Sequence, residues 1–234
     1  MNDGAWSTAW LEGDGVASRR MQVWRGVEAQ HVVSTMRLVD TLAEQDMLET
    51  LLESSKPPPP MTKDTKHYLL LTPFRYRPQH SSRFRRAGAL GVWYGAEEIS
   101  TACAEVAHWR HRFIMDSGGL TGTELLTEHT FFQATVDGVA IDLMNPPWKT
   151  ARPLWTHKTD YTETQLLAEA AMDRGVQWIC YESARATDKR CAAVLDVEAL
   201  AMVDETTNQT WHCKATRKSV MLIHGADRYV YDFK

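Results

Sequence analysis

Three side chains of different chemistry recur at even spacing in the stretch Ser81–Arg110. They are Arg83, Tyr94 and Glu105, and both intervals are eleven residues. An arginine can fork two hydrogen bonds onto a phosphate. A tyrosine ring offers a stacking surface with a polar tip. A carboxylate can stabilise the positive charge that builds on a sugar ring as its glycosidic bond breaks. Together these are the groups needed to hold an anionic dinucleotide and cleave it. Much later, Cys180-Tyr181-Glu182-Ser183-Ala184-Arg185 follows a short apolar run and adds a serine at a strand end.

These residues need elements to carry them. Gly91–Gly95 (GVWYG) reads as a strand bounded by glycines, and alternation sends only one of Trp93 and Tyr94 inward. Glu97–Phe113 reads as a helix with Ile99, Ala102, Cys103, Val106, Ala107 and Phe113 on one face. Glu105 falls at the edge of that stripe, about 110° from its centre at 100° per residue. An edge position can face a cleft or plain solvent. Val176–Tyr181 and Cys191–Leu195 read as strands, and the first delivers Ser183.

The rest of the chain supplies the scaffold. Residues 1–20 lack periodicity and are expected to form a loose arm, with Trp6 and Trp10 able to dock. Residues 21–234 are expected to form a single domain. Met21–Arg25 is expected to be a short strand and Glu28–Glu53 a helix. Lys56–Pro60 (KPPPP) stops that helix. His67–Thr72 (HYLLLT) is expected to be a buried strand. Phe131–Val136 and Val139–Leu143 are expected to form a hairpin turning at Asp137-Gly138. Asp160 with Glu163 suggests a capping box, and Gly175 a helix end. Thr210–Tyr231 is expected to hold two closing strands. The mixture predicts an α+β fold, a mixed or antiparallel strand core with flanking helices.

Bulk properties narrow the function. The chain has 234 residues, enough for a core that needs neither disulfide nor metal. Its net charge of −4 argues against a general nucleic-acid binder. Arg75, Arg77, Arg83, Arg85 and Arg86 nevertheless gather locally, as a solvated basic loop or as the rim of an anion site. Cys103, Cys180, Cys191 and Cys213 form no CxxC pair. No signal peptide and no apolar run of about 20 residues is evident, so neither secretion nor membrane insertion is expected. A G-x-S-x-G elbow, a Walker loop and a G-x-G-x-x-G fingerprint are all missing.

Arginine, glutamate and serine in this order, with these neighbours, resemble the RES-domain family of bacterial toxins. The resemblance implies a fold related to the diphtheria-type ADP-ribosyltransferases and consumption of NAD without a metal. It also implies a cytoplasmic location and an Xre-like antitoxin partner covering the active site. Carried onto this sequence, the family's positions fall on Arg25 in Val23-Trp24-Arg25-Gly26, on Arg83, Tyr94, Glu105 and Ser183. Arg75 in Phe74-Arg75-Tyr76 competes with Arg25 for the first arginine. The resemblance assigns Arg25 and Arg83 to the pyrophosphate, Tyr94 to the nicotinamide, and Glu105 to the ribose. Ser183 would bind the ribose or hold Glu105. The ADP-ribose acceptor, whether a protein target, phosphate or water, stays open. The family asparagine after Arg83-Phe84 is replaced by Arg85.

Two other readings stand beside this one. Glu28-x-x-His31 and Glu105-x-x-His108 have the spacing of di-metal carboxylate bundles. Nine tryptophans and a Met-rich early helix could instead serve a non-catalytic protein-binding module.

Overall fold

The computed structural model describes residues 6–13, 15–29, 35, 36, 38–120 and 122–233. They form an α+β fold built on a mixed, mostly antiparallel nine-stranded sheet. The strands are β1 (Val16–Glu28), β2 (Trp93–Ala96), β3 (Leu125–Asp142), β4 (Trp178–Glu182), β5 (Arg190–Val194), β6 (Leu200–Met202), β7 (Gln209–Ala215), β8 (Ser219–His224) and β9 (Asp227–Asp232). The helices are α1 (Leu42–Ser55), α2 (Tyr68–Arg75), α3 (Ile99–Asp116) and α4 (Thr162–Met172). A single further turn spans Arg152–Trp155.

One edge of β3 carries β1 along thirteen residue pairs, from Val16↔Ile141 to Glu28↔His129. Its other edge carries β7, β6 and β4 in turn. Because β4 pairs β5, β5 pairs β2, and β2 meets β1 at Trp24↔Ala96, the ladder from β3 returns to β1 and closes. β7, β8 and β9 extend the other way as a meander. Among the described residues, only β3 and β4 run parallel.

Alternation along these strands feeds two cores. Phe131, Ile179, Tyr181, Cys191 and Ala193 point to one, where α3 and α4 contribute Ala102, Cys103, Ala107, Leu167 and Ala171. Phe132, Trp178, Cys180, Ala192, Val194 and Trp93 point to the other, with Leu70 and Phe74 of α2. Fully burying a side chain such as Ile114 stabilises the fold by about 1.5–3 kcal/mol. Five of the nine tryptophans are fully buried, so tryptophan content here mainly builds core. All four cysteines are buried and free.

Several expectations need correction. His67–Thr72 is not a strand: Tyr68–Arg75 is helical, and the i, i+4 pair Leu70 and Phe74 is buried. Leu69, Leu70 and Leu71 are unbranched at Cβ and carry little preference for an extended backbone, so helix wins. The Asp137-Gly138 hairpin is absent. Gly138 takes φ 152°, β3 runs straight through it, and Arg19 and Arg20 pair opposite. A glycine allows that mirror-extended backbone without a turn.

The first strand begins at Val16, inside the stretch expected as a loose arm. Trp6 and Trp10 both pack on Trp148, with ring centroids 6.3 and 5.4 Å away. Of the helix expected over Glu28–Glu53, residues 30–34 and 37 lie outside the described residues. The helix found starts at Leu42, behind a Thr41/Glu44 capping box. Its apolar residues do not build core: Leu42, Met47, Leu51 and Leu52 are exposed, and Gln45 is its buried residue. At the start of α4, Asp160 accepts from Thr162 N, but Glu163 reaches Trp6 Nε1 at 2.8 Å instead of closing a capping box. On α3, Phe113 is half exposed and Ile114 is buried in its place. The C-terminal region holds three strands, not two. Among the described residues, no helix is long and apolar enough to cross a membrane.

Candidate active site

A cleft of about 440 Å³ opens between β1, β2 and α3. That volume is within the usual range for a small-molecule site. Arg25, Arg83, Tyr94 and Glu105 line it, together with Trp24, Tyr161 and Tyr181. Four separate segments of the chain therefore meet at this cleft, three of them carrying the evenly spaced Arg83, Tyr94 and Glu105.

The strand pair fixes the first two groups. Trp93 on β2 is buried in the core, so alternation leaves Tyr94 facing the cleft. Arg25 on β1 donates from Nη1 to the Tyr94 carbonyl at 2.8 Å and lies over the Trp93 ring, 5.2 Å from its centroid. Burial lowers its pKa to about 10, so it stays charged at neutral pH. Gly26 makes the floor possible, since a Cβ there would come within 2.6 Å of the Phe131 ring. The Tyr94 hydroxyl sits 2.9 Å from Ser82 Oγ and accepts from the Phe84 N–H at 3.2 Å. Burial raises its pKa and keeps it neutral.

Arg83 rides on a loop pinned by α4. Thr164 Oγ1 donates to the Arg83 carbonyl, and Gln165 Nε2 donates to the Ser82 carbonyl at 2.9 Å. The Arg83 guanidinium donates to the Trp155 carbonyl at 2.7 Å and lies over the Tyr161 ring, 4.9 Å from its centroid. Arg85, in the place of the asparagine, does not line the cleft. It turns back to the Pro78 and His80 carbonyls and ties its own loop. Arg75 pairs with Glu53, Arg86 with Glu169, and Arg77 reaches the Gly88 carbonyl. Of these five clustered arginines only Arg83 lines the cleft, so the cluster itself is not an anion rim. Arg25 lines the cleft and Arg75 does not.

Glu105 on α3 is half buried, and its Oε1 accepts from Ser183 Oγ at 2.7 Å. Ser183 is buried behind the carboxylate. Its Oγ also accepts from the Arg185 and Ala186 N–H groups at 3.0 and 3.2 Å. It holds Glu105 rather than lining the cleft. Glu28 stands at the end of β1 and pairs with Arg110, so it belongs to no helix bundle. His31, the other half of that pair, lies outside the described residues.

The sequence reading missed several residues. Arg185 lines the cleft and donates to His108 Nε2 at 2.8 Å. Burial, then the Arg185 charge, lowers the His108 pKa to about 4. Arg110 also lines the cleft; it pairs with Glu28 and donates from Nε to His129 Nε2 at 3.3 Å. Burial, then Arg110, lowers the His129 pKa to about 4 as well. Trp109 and Phe113 add apolar wall, and both are about half exposed. The signal for Arg185 was at hand in the same hexapeptide as Ser183. For Arg110 and Glu28 no local spacing points to the cleft.

No curated protein matches the sequence. Among solved structures the fold is similar to a chain of the M. tuberculosis MbcT–MbcA toxin–antitoxin complex. The TM-score is 0.52 at 12% identity, over 90% of this chain and 92% of that one. The RES domain matches residues 59–215, a span that holds Arg83, Tyr94, Glu105 and Ser183 and begins beyond Arg25. With two thirds of its length matched, the chain belongs to the RES-domain family.

Proposed function

We propose that this protein is the toxin of a bacterial toxin–antitoxin pair and that it cleaves NAD in the cytoplasm. The observation that carries the reading is the meeting of Arg25, Arg83, Tyr94 and Glu105 in one cleft. Its walls hold four guanidinium groups against two carboxylates, a balance suited to a dianionic pyrophosphate. Tyr94 and the neighbouring tyrosines offer ring faces to the nicotinamide.

In the reaction the bond between ribose C1′ and the nicotinamide nitrogen breaks, and its electron pair leaves with the nicotinamide. Glu105, held by Ser183, stabilises the oxocarbenium character left on the ribose. An acceptor oxygen or nitrogen then bonds to C1′ and gives up its proton. Water yields ADP-ribose, phosphate yields the 1″-phosphate, and a protein side chain yields an ADP-ribosylated target. An Xre-like antitoxin that covers the cleft would exclude NAD and silence the enzyme. The similarity to a toxin crystallised with its antitoxin supports such a partner.

The test incubates the purified protein with NAD labelled in the ADP-ribose half, with and without phosphate and cell lysate, and resolves products by mass. The wild type is expected to release nicotinamide, and Glu105→Gln to lose about 10³-fold in turnover while remaining folded. Adding the protein encoded beside it is expected to stop the reaction. No nicotinamide release under any condition, or full activity in Glu105→Gln, overturns the reading.

A further inference from the structure

We propose that Arg185 is a third anion-binding arginine of the cleft, directed at the pyrophosphate of the dinucleotide, and that His108 is the residue that positions it. The inference rests on the proposed use of NAD and adds a contact to that site.

Two parallel links join α3 to the loop after β4. Glu105 is bonded to Ser183, and His108 to Arg185. The helix partners are three positions apart, and the loop partners two. Three helical residues rise about 4.5 Å. The guanidinium is thereby tied to a helix position about one turn along from the one that bears the carboxylate. In NAD the pyrophosphate lies one sugar away from the bond that breaks, so a cation tied one turn along from Glu105 fits that separation.

The choice of partner matters as much as the distance. Among the described residues, no carboxylate forms an ion pair with Arg185; its acceptor is an imidazole nitrogen. Only a neutral imidazole can accept there, and the surroundings that hold His108 near 4 keep it neutral. The hydrogen bond then fixes the guanidinium without cancelling its charge. Among the described residues, Arg185 Nε is buried without a hydrogen-bond partner. Arg110, by contrast, already has Glu28 as a counter-charge.

The proposal is tested by titrating ADP-ribose, which keeps the pyrophosphate but cannot react, into wild type, Arg185→Ala, Arg185→Lys, His108→Gln and His108→Glu. Thermal melts check folding. Arg185→Ala is expected to weaken binding about 10- to 100-fold and to flatten its salt dependence. His108→Glu places a counter-charge on Arg185 and is expected to give a similar loss. His108→Gln offers a neutral acceptor and is expected to stay within about threefold of wild type. Arg185→Lys keeps the charge but not the fork and is expected to fall between. Wild-type binding retained in Arg185→Ala or, should that variant not fold, in His108→Glu overturns the proposal. So does an equal loss in His108→Gln and His108→Glu, or no binding by wild type at millimolar ADP-ribose. NAD turnover by wild type is read separately, so failure of the enzymatic reading remains distinct from failure of the arginine.

Discussion

At the end of β3, Arg190 reaches the Asp142 carboxylate at 2.8 Å, with Arg19 at 3.8 Å from the same oxygen. Nearby, Arg152 makes a two-pronged bond to Glu182. In the cleft, Arg110 is likewise tied to the Glu28 carboxylate, but the other three arginines have partners of another kind. Arg25 and Arg83 donate to carbonyls and lie over aromatic rings, and Arg185 donates to a neutral imidazole. A carboxylate partner largely cancels an arginine's field and makes it a structural tie. Carbonyls, ring faces and imidazoles hold the same side chain in place while leaving its charge for something else. The two regions thus separate arginines that serve the fold from arginines arranged for a ligand.

The most severe way to probe that division is at Asp142. This side chain is 1% exposed, accepts from Arg190, forms a longer ion pair with Arg19, and also takes the Met144 N–H and the Asn145 amide. Asp142→Ala leaves these donors without their shared acceptor. It is expected to cost about 3 kcal/mol, or roughly 6–12 °C in Tm for a chain of this size. Calorimetry of the variant decides it; a melt within about 2 °C of wild type would remove Asp142 from the structural group.

A smaller effect, opposite in kind, is expected at Arg25. Arg25→Gln removes a buried charge that no carboxylate offsets among the described residues. Stability should hold or rise by up to about 1 kcal/mol, while affinity for NAD falls about 10- to 100-fold. Melts and binding isotherms on the same preparation read both sides. Loss of stability comparable to that in Asp142→Ala would erase the distinction between the two regions.

What the sequence disclosed follows the reach of local rules. The positions of Tyr94 and Glu105 were legible because strand alternation and helical period act over a few residues, and both held across β2 and α3. The leucines of Tyr68–Arg75 were ambiguous because an apolar run that short fits either period. Asp137-Gly138 has the composition of a turn, yet the long pairing of β1 with β3 outweighs local turn preference. The helix at Leu42–Ser55 has an apolar period without a buried apolar face, since period shows how residues share a side and not what that side meets. Arg85 and Arg185 could not be sorted by type. One is folded back onto loop carbonyls and the other faces the cleft, a difference set by contacts distant in sequence.

The mildest test concerns pH and reaches the neutral acceptor itself. His108 faces Arg185, with Arg112, His111 and Arg83 nearby, and His129 faces Arg110. Both are held to about 4 in the fold, first by burial and then by the neighbouring guanidinium. In the unfolded chain each titrates near 6.5. Below that pH the unfolded state binds more protons than the folded one, so stability declines as pH falls. The contribution is complete above about pH 6.5 and is lost progressively towards pH 4. With His108 only about half enclosed, solvent screening reduces its share to about 1 kcal/mol at pH 4.5, or about 2–4 °C in Tm. Carboxylates titrate in the same window, so the informative quantity is the difference between wild type and His108→Gln. The variant is expected to lose less Tm between pH 7 and 4.5 than wild type does. Superimposable curves would mean that His108 is not held neutral against Arg185, and the cleft arginine would then lack the uncharged partner that sets it apart from Arg190 and Arg152.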